Sequence, residues 1–101
     1  MTPDPWKAML SALMSKHRRR ILVKLLEQES VMIPEEVADG EAEFQGLQTE
    51  MHHTHLPQLT DQGYVRKTTN FEVVRGPQFE NIRPLLEVLQ ENHKRLPSGL
   101  A

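Results

Sequence analysis

Apolar residues recur every three or four positions in four stretches of the chain, which is the spacing of an amphipathic helix. The first two stretches comprise Trp6, Met9, Leu10 and Leu13, followed by Ile21, Leu22, Leu25 and Leu26. Asp4-Pro5 is a typical helix start, because Asp accepts hydrogen bonds from amides of the first turn and Pro suits the first helical position. Ser15 offers either a second cap or a bend. We therefore expect helix from Asp4 to about Gln28, in one piece or in two.

The third stretch predicts a long helix from about Glu43 to Gln62. Its core-facing positions follow one another at steps of three and four and are Phe44, Leu47, Met51, His55 and Leu59. Pro57 interrupts this helix, because proline lacks the amide hydrogen and disfavours helical geometry at the residue before it. We expect a kink there, or a break followed by a new turn.

Two further helices are predicted, one on each side of the long helix. A short helix over residues 33–38 has Pro34 at its start and Gly40 as its stop. The last helix runs from about Glu80 to Leu96 and contains the fourth apolar stretch.

A β-hairpin is predicted between the long helix and the last one. Gly63 stands where a helix end favours a left-handed residue, and two β-prone runs follow at 64–67 and 71–74. The fold class is therefore mainly α with a small β-hairpin, in the element order of a winged helix-turn-helix with added N- and C-terminal helices. We expect one domain over residues 1–101, with an N-terminal helix, a helical core, a wing and a C-terminal dimerisation helix at 4–14, 15–63, 64–76 and 78–96.

Composition narrows the possible chemistry. The chain contains no cysteine, so disulfides and thiolate metal sites are excluded. It has neither a signal-like N-terminus nor an apolar run of membrane-spanning length, so we expect a cytoplasmic protein without a membrane partner. The formal net charge is -2, but the cations are unevenly placed, because no Lys or Arg occurs between Lys24 and Arg66. The long helix therefore has no fixed positive charge.

Two segments resemble winged helix-turn-helix regulators of the ArsR-like family. Residues 55–65, HLPQLTDQGYV, are similar to the end of the recognition helix and the first wing strand, and residues 16–26, KHRRRILVKLL, to the first core helix. The string MHHTHLPQL at 51–59 resembles small haloarchaeal winged-helix proteins more closely still. The resemblance covers about Leu10 to Val74. It implies a dimeric DNA-binding regulator whose third helix enters the major groove while the wing contacts backbone or minor groove.

Double-stranded DNA is the partner that this resemblance implies. Uncharged side chains of the third helix would contact bases and the wing would contact phosphates, while the arginine run after Lys16 is either a phosphate clamp or a solvated helix face. The candidate DNA-binding residues are Gln48, Thr49 and His53 on the helix, Arg66 and Lys67 on the wing, and Arg18 and Arg19. Glu50 would repel phosphates if it pointed into the groove.

The apolar stripes of the first and last helices have two interpretations, ordinary core or the seam of a homodimer. A chain of this length has a limited interior, which favours the seam. The predicted dimer-interface residues are Trp6, Leu10, Leu85, Leu86 and Leu89.

Three neighbouring histidines, His52, His53 and His55, raise the question of a metal site. The alternative is that His55 packs at the junction of helix and wing while His53 faces solvent or DNA, and we expect no metal and no cofactor. No nucleophile motif, phosphate-binding glycine loop or carboxylate pair is recognisable, so an enzyme is not expected. The alternative function is a winged-helix module that binds another protein through the acidic middle of the chain, with weak or no DNA binding.

Overall fold

The computed structural model describes residues 4–33, 36–38, 46, 47, 49–69 and 71–97. Within these residues the chain is mainly helical with a small antiparallel sheet of three strands. The helices are α1 Pro5–Leu13, α2 Lys16–Glu27, α3 Leu56–Asp61 and α4 Phe79–Glu91, and the strands are β1 Ser30–Met32, β2 Val65–Thr69 and β3 Glu72–Arg75. Residues 46, 47, 49 and 50 are also helical and lead through a π-helical turn, Met51–His55, into α3. We call residues 46, 47 and 49–61 the central helical segment.

The first two helices begin at the caps that the sequence predicts. The side chain of Asp4 accepts a hydrogen bond from the Trp6 amide at 3.0 Å. The Ser15 hydroxyl accepts from the amides of His17 and Arg18 at 3.2 and 3.4 Å. Because Ser15 is extended, the predicted helical stretch is divided into two helices.

The central helical segment has the predicted buried side. Leu47, Met51, His55 and Leu59 are all buried, which confirms the core face at these positions, whereas Phe44 lies outside the described residues. The predicted interruption at Pro57 is confirmed, and it takes the form of a π-helical turn that precedes the proline. The Leu56 amide closes this turn by donating to the Met51 carbonyl. Proline has no amide hydrogen, and its ring would collide with the carbonyl four residues earlier. The wider turn relieves this crowding before α3 begins.

The sheet has the strand order β1-β3-β2, with both pairs antiparallel. The predicted hairpin is confirmed as β2 and β3, and Gly63, with φ of 78°, ends the central helical segment as expected. The sequence does not predict β1, which pairs Val31 with Val73 inside the core. Three residues are too few to show alternation, so β1 becomes recognisable only when β3 lies beside it.

The short helix predicted before the central helical segment is not found among the residues described there. Ile33 and Glu36 lie in turns, whereas Pro34 and Gly40 lie outside the described residues. The Ile33 amide donates to the Phe71 carbonyl at 2.7 Å, which attaches this segment to the sheet.

The last helix contributes one stripe to the core. Phe79, Ile82 and Leu86, at steps of three and four, are buried in the single cluster of apolar side chains that α4 shares with α2. The helix ends at Glu91 and a 3-10 turn, His93–Arg95, follows it, so the predicted end at Leu96 is too late.

Candidate nucleic-acid interface

The side of the central helical segment opposite its buried positions is open to solvent. Thr49 and His53, two of the predicted base-contacting residues, are exposed, and so are Glu50 and Thr54. Gln48, the third candidate, lies outside the described residues. Sequence reasoning missed Thr54, which the four-residue step from Glu50 places on the same side. This surface offers hydroxyl, methyl and imidazole groups, with one carboxylate among them.

The hairpin presents two exposed cations, Arg66 and Lys67, on β2. Lys67 pairs with Val73 and Arg66 pairs with Val74. Directly paired residues lie on the same face of a sheet, and successive residues lie on opposite faces. Because Val73 is buried, Lys67 lies on the face that covers the core, while Arg66 lies on the outer face.

The arginines at the start of α2 bind the end of α1. Arg18 is buried, and it donates from Nε to the Ala12 carbonyl at 3.2 Å and from Nη2 to the Ser11 carbonyl at 2.9 Å. Arg19 donates from Nη1 to the Leu13 carbonyl at 2.7 Å. The last carbonyls of a helix have no partner within the helix and have partial negative charge, so these guanidinium groups cap α1. The prediction that Arg18 contacts phosphate is wrong, because its guanidinium is enclosed within the chain.

Two further arginines use main-chain carbonyls in the same way. Arg20 donates to the Val37 carbonyl at 2.9 Å. Arg75, at the end of β3, donates from Nε to the Leu25 carbonyl at 2.6 Å and from Nη2 to the Leu26 carbonyl at 3.3 Å, which caps α2. Several arginines that the sequence makes candidates for phosphate binding therefore bind main-chain carbonyls of the protein instead.

The three neighbouring histidines point in different directions. His53 is exposed, His52 is half-buried, and His55 is buried with its Nδ1 3.1 Å from Nη1 of Arg18. Burial first, and then the nearby charges of Arg18 and His17, lower the pKa of His55 below its ordinary value. His55 contacts Arg18 and His17 of α2, and its Nε2 lies 3.8 Å from the Glu50 carboxylate; the predicted location was the junction of helix and wing. Within the described residues, no three His, Asp or Glu side chains are arranged to hold a metal ion.

An apolar face extends over α1 and α4. The side chains of Trp6 and Leu10 are 60% and 56% exposed. Leu85 and Leu89 are half-buried and, together with Leu10, line a groove of about 380 Å³. Leu86 is fully buried in the core, which corrects the predicted seam. Consecutive residues of a helix point about 100° apart, and here Leu86 points into the core while Leu85 lines the groove.

Comparison with known proteins returned no match to a protein-family model, a curated protein or a solved structure. The resemblance to ArsR-like regulators accordingly stays a prediction. In the part of the chain that the structure describes, no helix has both the length and the apolar character needed to cross a bilayer.

Proposed function

We propose that this chain is a winged helix-turn-helix protein of the ArsR-like kind, which binds duplex DNA as a homodimer and regulates transcription. In this arrangement α2 is the first core helix, the central helical segment is the recognition helix, and β2 with β3 forms the wing. The supporting observation is a helix with one buried side and one exposed polar side, followed directly by a hairpin with two exposed cations. The Tyr64 amide donates to the Leu59 carbonyl at 3.1 Å, so the hairpin starts against the end of that helix.

The exposed groups have the chemistry of base and phosphate contacts. The methyl of Thr49 can contact the thymine methyl, and His53 can donate to guanine acceptors, each good contact discriminating by about 1 to 3 kcal/mol. Lys67 lies on the sheet face that packs towards the helices, whereas Arg66 lies on the outer face. We therefore expect Lys67 to contact the same stretch of DNA as the central helical segment, and Arg66 to contact the flanking backbone.

A protein-binding module is the second candidate, favoured by how the arginines are used. Arg18, Arg19 and Arg75 all donate to main-chain carbonyls, and the Glu50 carboxylate is exposed on the candidate base-contacting side. Phosphate contacts supply most of the non-specific affinity of a protein for DNA. In ordinary buffer the affinity for DNA is therefore expected to be modest.

Selection of bound duplexes from a random library, followed by affinity measurements at several salt concentrations, tests the proposal. We expect an enriched sequence and a Kd that rises with salt. Thr49→Ala should reduce the preference for that sequence by about 1 to 3 kcal/mol, with little effect on random DNA. Lys67→Ala should weaken binding to all sequences and lower the salt slope by about one unit.

The matched control is Lys94→Ala, which removes an equally exposed cation beyond α4. This variant should bind all duplexes like the wild type. If Lys94→Ala and Lys67→Ala have the same effect, the hairpin is not part of the interface. Absence of both an enriched sequence and salt-dependent binding would reject DNA binding and favour the protein module.

A further inference from the structure

One side chain of α2 connects the end of α1 with the central helical segment. Besides donating to the carbonyls of Ser11 and Ala12, Arg18 places Nη1 3.1 Å from Nδ1 of His55. Gln58 of α3 donates to the Ser11 hydroxyl beside this contact. Arg18 and His55 are each only 8% exposed. We call these four side chains, Ser11, Arg18, His55 and Gln58, the junction; its polar contacts hold the central helical segment against the end of α1.

The contact between Arg18 and His55 requires a neutral imidazole. A guanidinium group can only donate hydrogen bonds, so Nδ1 of His55 must accept and the ring proton must be on Nε2. A second proton would place an N–H on Nδ1, pointing at the N–H of Arg18. The hydrogen bond would then be replaced by a buried repulsion between two cations.

The charged groups around His55 come from α2 and from its own segment. On α2, Arg18 and His17 face it, and the rings of His17 and His55 are 5.7 Å apart between centroids. On the central helical segment, the exposed carboxylate of Glu50 lies 3.8 Å from Nε2. The α1 groups at the junction are main-chain carbonyls, which accept from Arg18, and the Ser11 hydroxyl, which accepts from Gln58. Burial, Arg18 and His17 together outweigh Glu50, so the pKa of His55 lies below its ordinary value near 6.5 and the neutral form prevails at neutral pH.

We propose that Arg18 is a positioning residue for DNA recognition, acting through neutral His55, and that protonation of His55 uncouples the central helical segment from the end of α1. The consequence for DNA rests on the proposed function, whereas the junction is a property of the free protein. DNA affinity is expected to be full above about pH 6.5 and to fall as the pH drops through the pKa of His55.

The first experiment follows histidine ring nitrogens and main-chain amides of the free wild-type protein by NMR between about pH 4 and 8. We expect His55 to have its proton on Nε2, to have a pKa below its ordinary value near 6.5, and to shift the amides of Ser11 to Leu13 with the same midpoint. A pKa of His55 at or above 6.5 would overturn the proposal. So would α1 amides that do not respond. This measurement needs no substitution, so it does not depend on how a variant folds.

The second experiment measures DNA affinity against pH for the wild type, His55→Asn and the control His53→Asn. Asparagine keeps an acceptor near the place of Nδ1 and does not titrate in this range. Relative to His55→Asn, the wild type should lose about tenfold in affinity across the His55 midpoint, the factor of one lost hydrogen bond from a charged donor. His53→Asn should keep that loss.

The possible results distinguish a failure of the positioning role from a failure of the proposed function. Parallel pH profiles for the wild type and His55→Asn would overturn the positioning role. If none of the three proteins binds DNA at any pH, the proposed function fails and the positioning role fails with it. The NMR titration then still decides whether His55 couples the segment to α1.

Discussion

Gly76 stands at a position where this fold has no room for a side chain. A Cβ atom there would lie 2.4 Å from the Gly63 carbonyl oxygen and 2.9 Å from the Val65 nitrogen. The Gly76 amide donates to the Tyr64 carbonyl at 2.9 Å, and the Gln78 amide donates to the Gly63 carbonyl at 2.7 Å. The end of β3 is therefore held against the beginning of β2 by main-chain hydrogen bonds on both sides of the close approach.

Gly76→Ala should lower the free energy of unfolding by about 2 to 4 kcal/mol. The new contacts are with main-chain atoms, which cannot rotate away, so overpacking costs about 1 to 3 kcal/mol. Opening the gap also lengthens two hydrogen bonds, each contributing about 1 kcal/mol. The lower entropy of the unfolded alanine chain offsets about 0.4 to 1 kcal/mol of this loss. For a chain of this length the melting temperature should fall by about 10 to 30 °C.

Gly46→Ala is the matched control, because the same substitution meets no atom within 4 Å. Gly46 is exposed and helical, so alanine should stabilise the protein by about 0.5 to 1 kcal/mol through its higher helix propensity. Urea denaturation followed by circular dichroism measures both variants. We expect Gly76→Ala to lower the free energy of unfolding and Gly46→Ala to raise it. A Gly76→Ala protein as stable as the wild type would refute the close approach at the base of the hairpin.

Two further predictions concern the arginine caps and the apolar face. Arg75→Met should cost about 1.5 to 3 kcal/mol in thermal unfolding, because it removes charged hydrogen bonds to the end of α2. Arg83→Met is the control, because the guanidinium carbons of Arg83 and Arg75 lie at similar distances from the centre of the Phe79 ring, 5.5 and 5.4 Å. This variant should lose less than about 1 kcal/mol of stability. Equal losses for the two variants would mean that the cap of α2 contributes nothing. Leu10→Glu should convert a homodimer to a monomer in light scattering, because it would bury a charge in the seam. Phe71→Glu, at a residue of similar exposure in the hairpin turn, should leave the dimer intact, and a monomeric wild type at micromolar concentration would contradict the seam altogether.

Features decided by near neighbours in the chain were predictable from the sequence. Asp4 and Ser15 cap helices through amides two or three residues ahead. Gly63 and Pro57 act through the geometry of their own main chain. The apolar period of the central helical segment predicted its buried side, and the exposure of Thr49 followed from the same period.

Contacts between distant parts of the chain decided the rest. The sequence of an arginine run does not reveal whether its guanidinium groups bind phosphate or main-chain carbonyl oxygens. The partners of Arg18 include His55, and those of Arg75 lie 49 and 50 residues earlier in the chain. Which helical neighbour, Leu85 or Leu86, entered the core depended on how α4 docks onto α2.

The candidate interface shows the same division between local and tertiary information. Strand alternation alone places Arg66 and Lys67 on opposite faces of the hairpin. Alternation does not say which face covers the core, because β2 beyond Val65 is exposed on both faces. The register with Val73, which is buried because β1 and the helices enclose it, places Lys67 on the side of the helices. Local sequence determined the main helices and the hairpin of this protein, and the tertiary structure decided that β1 forms and which of the cations remain exposed.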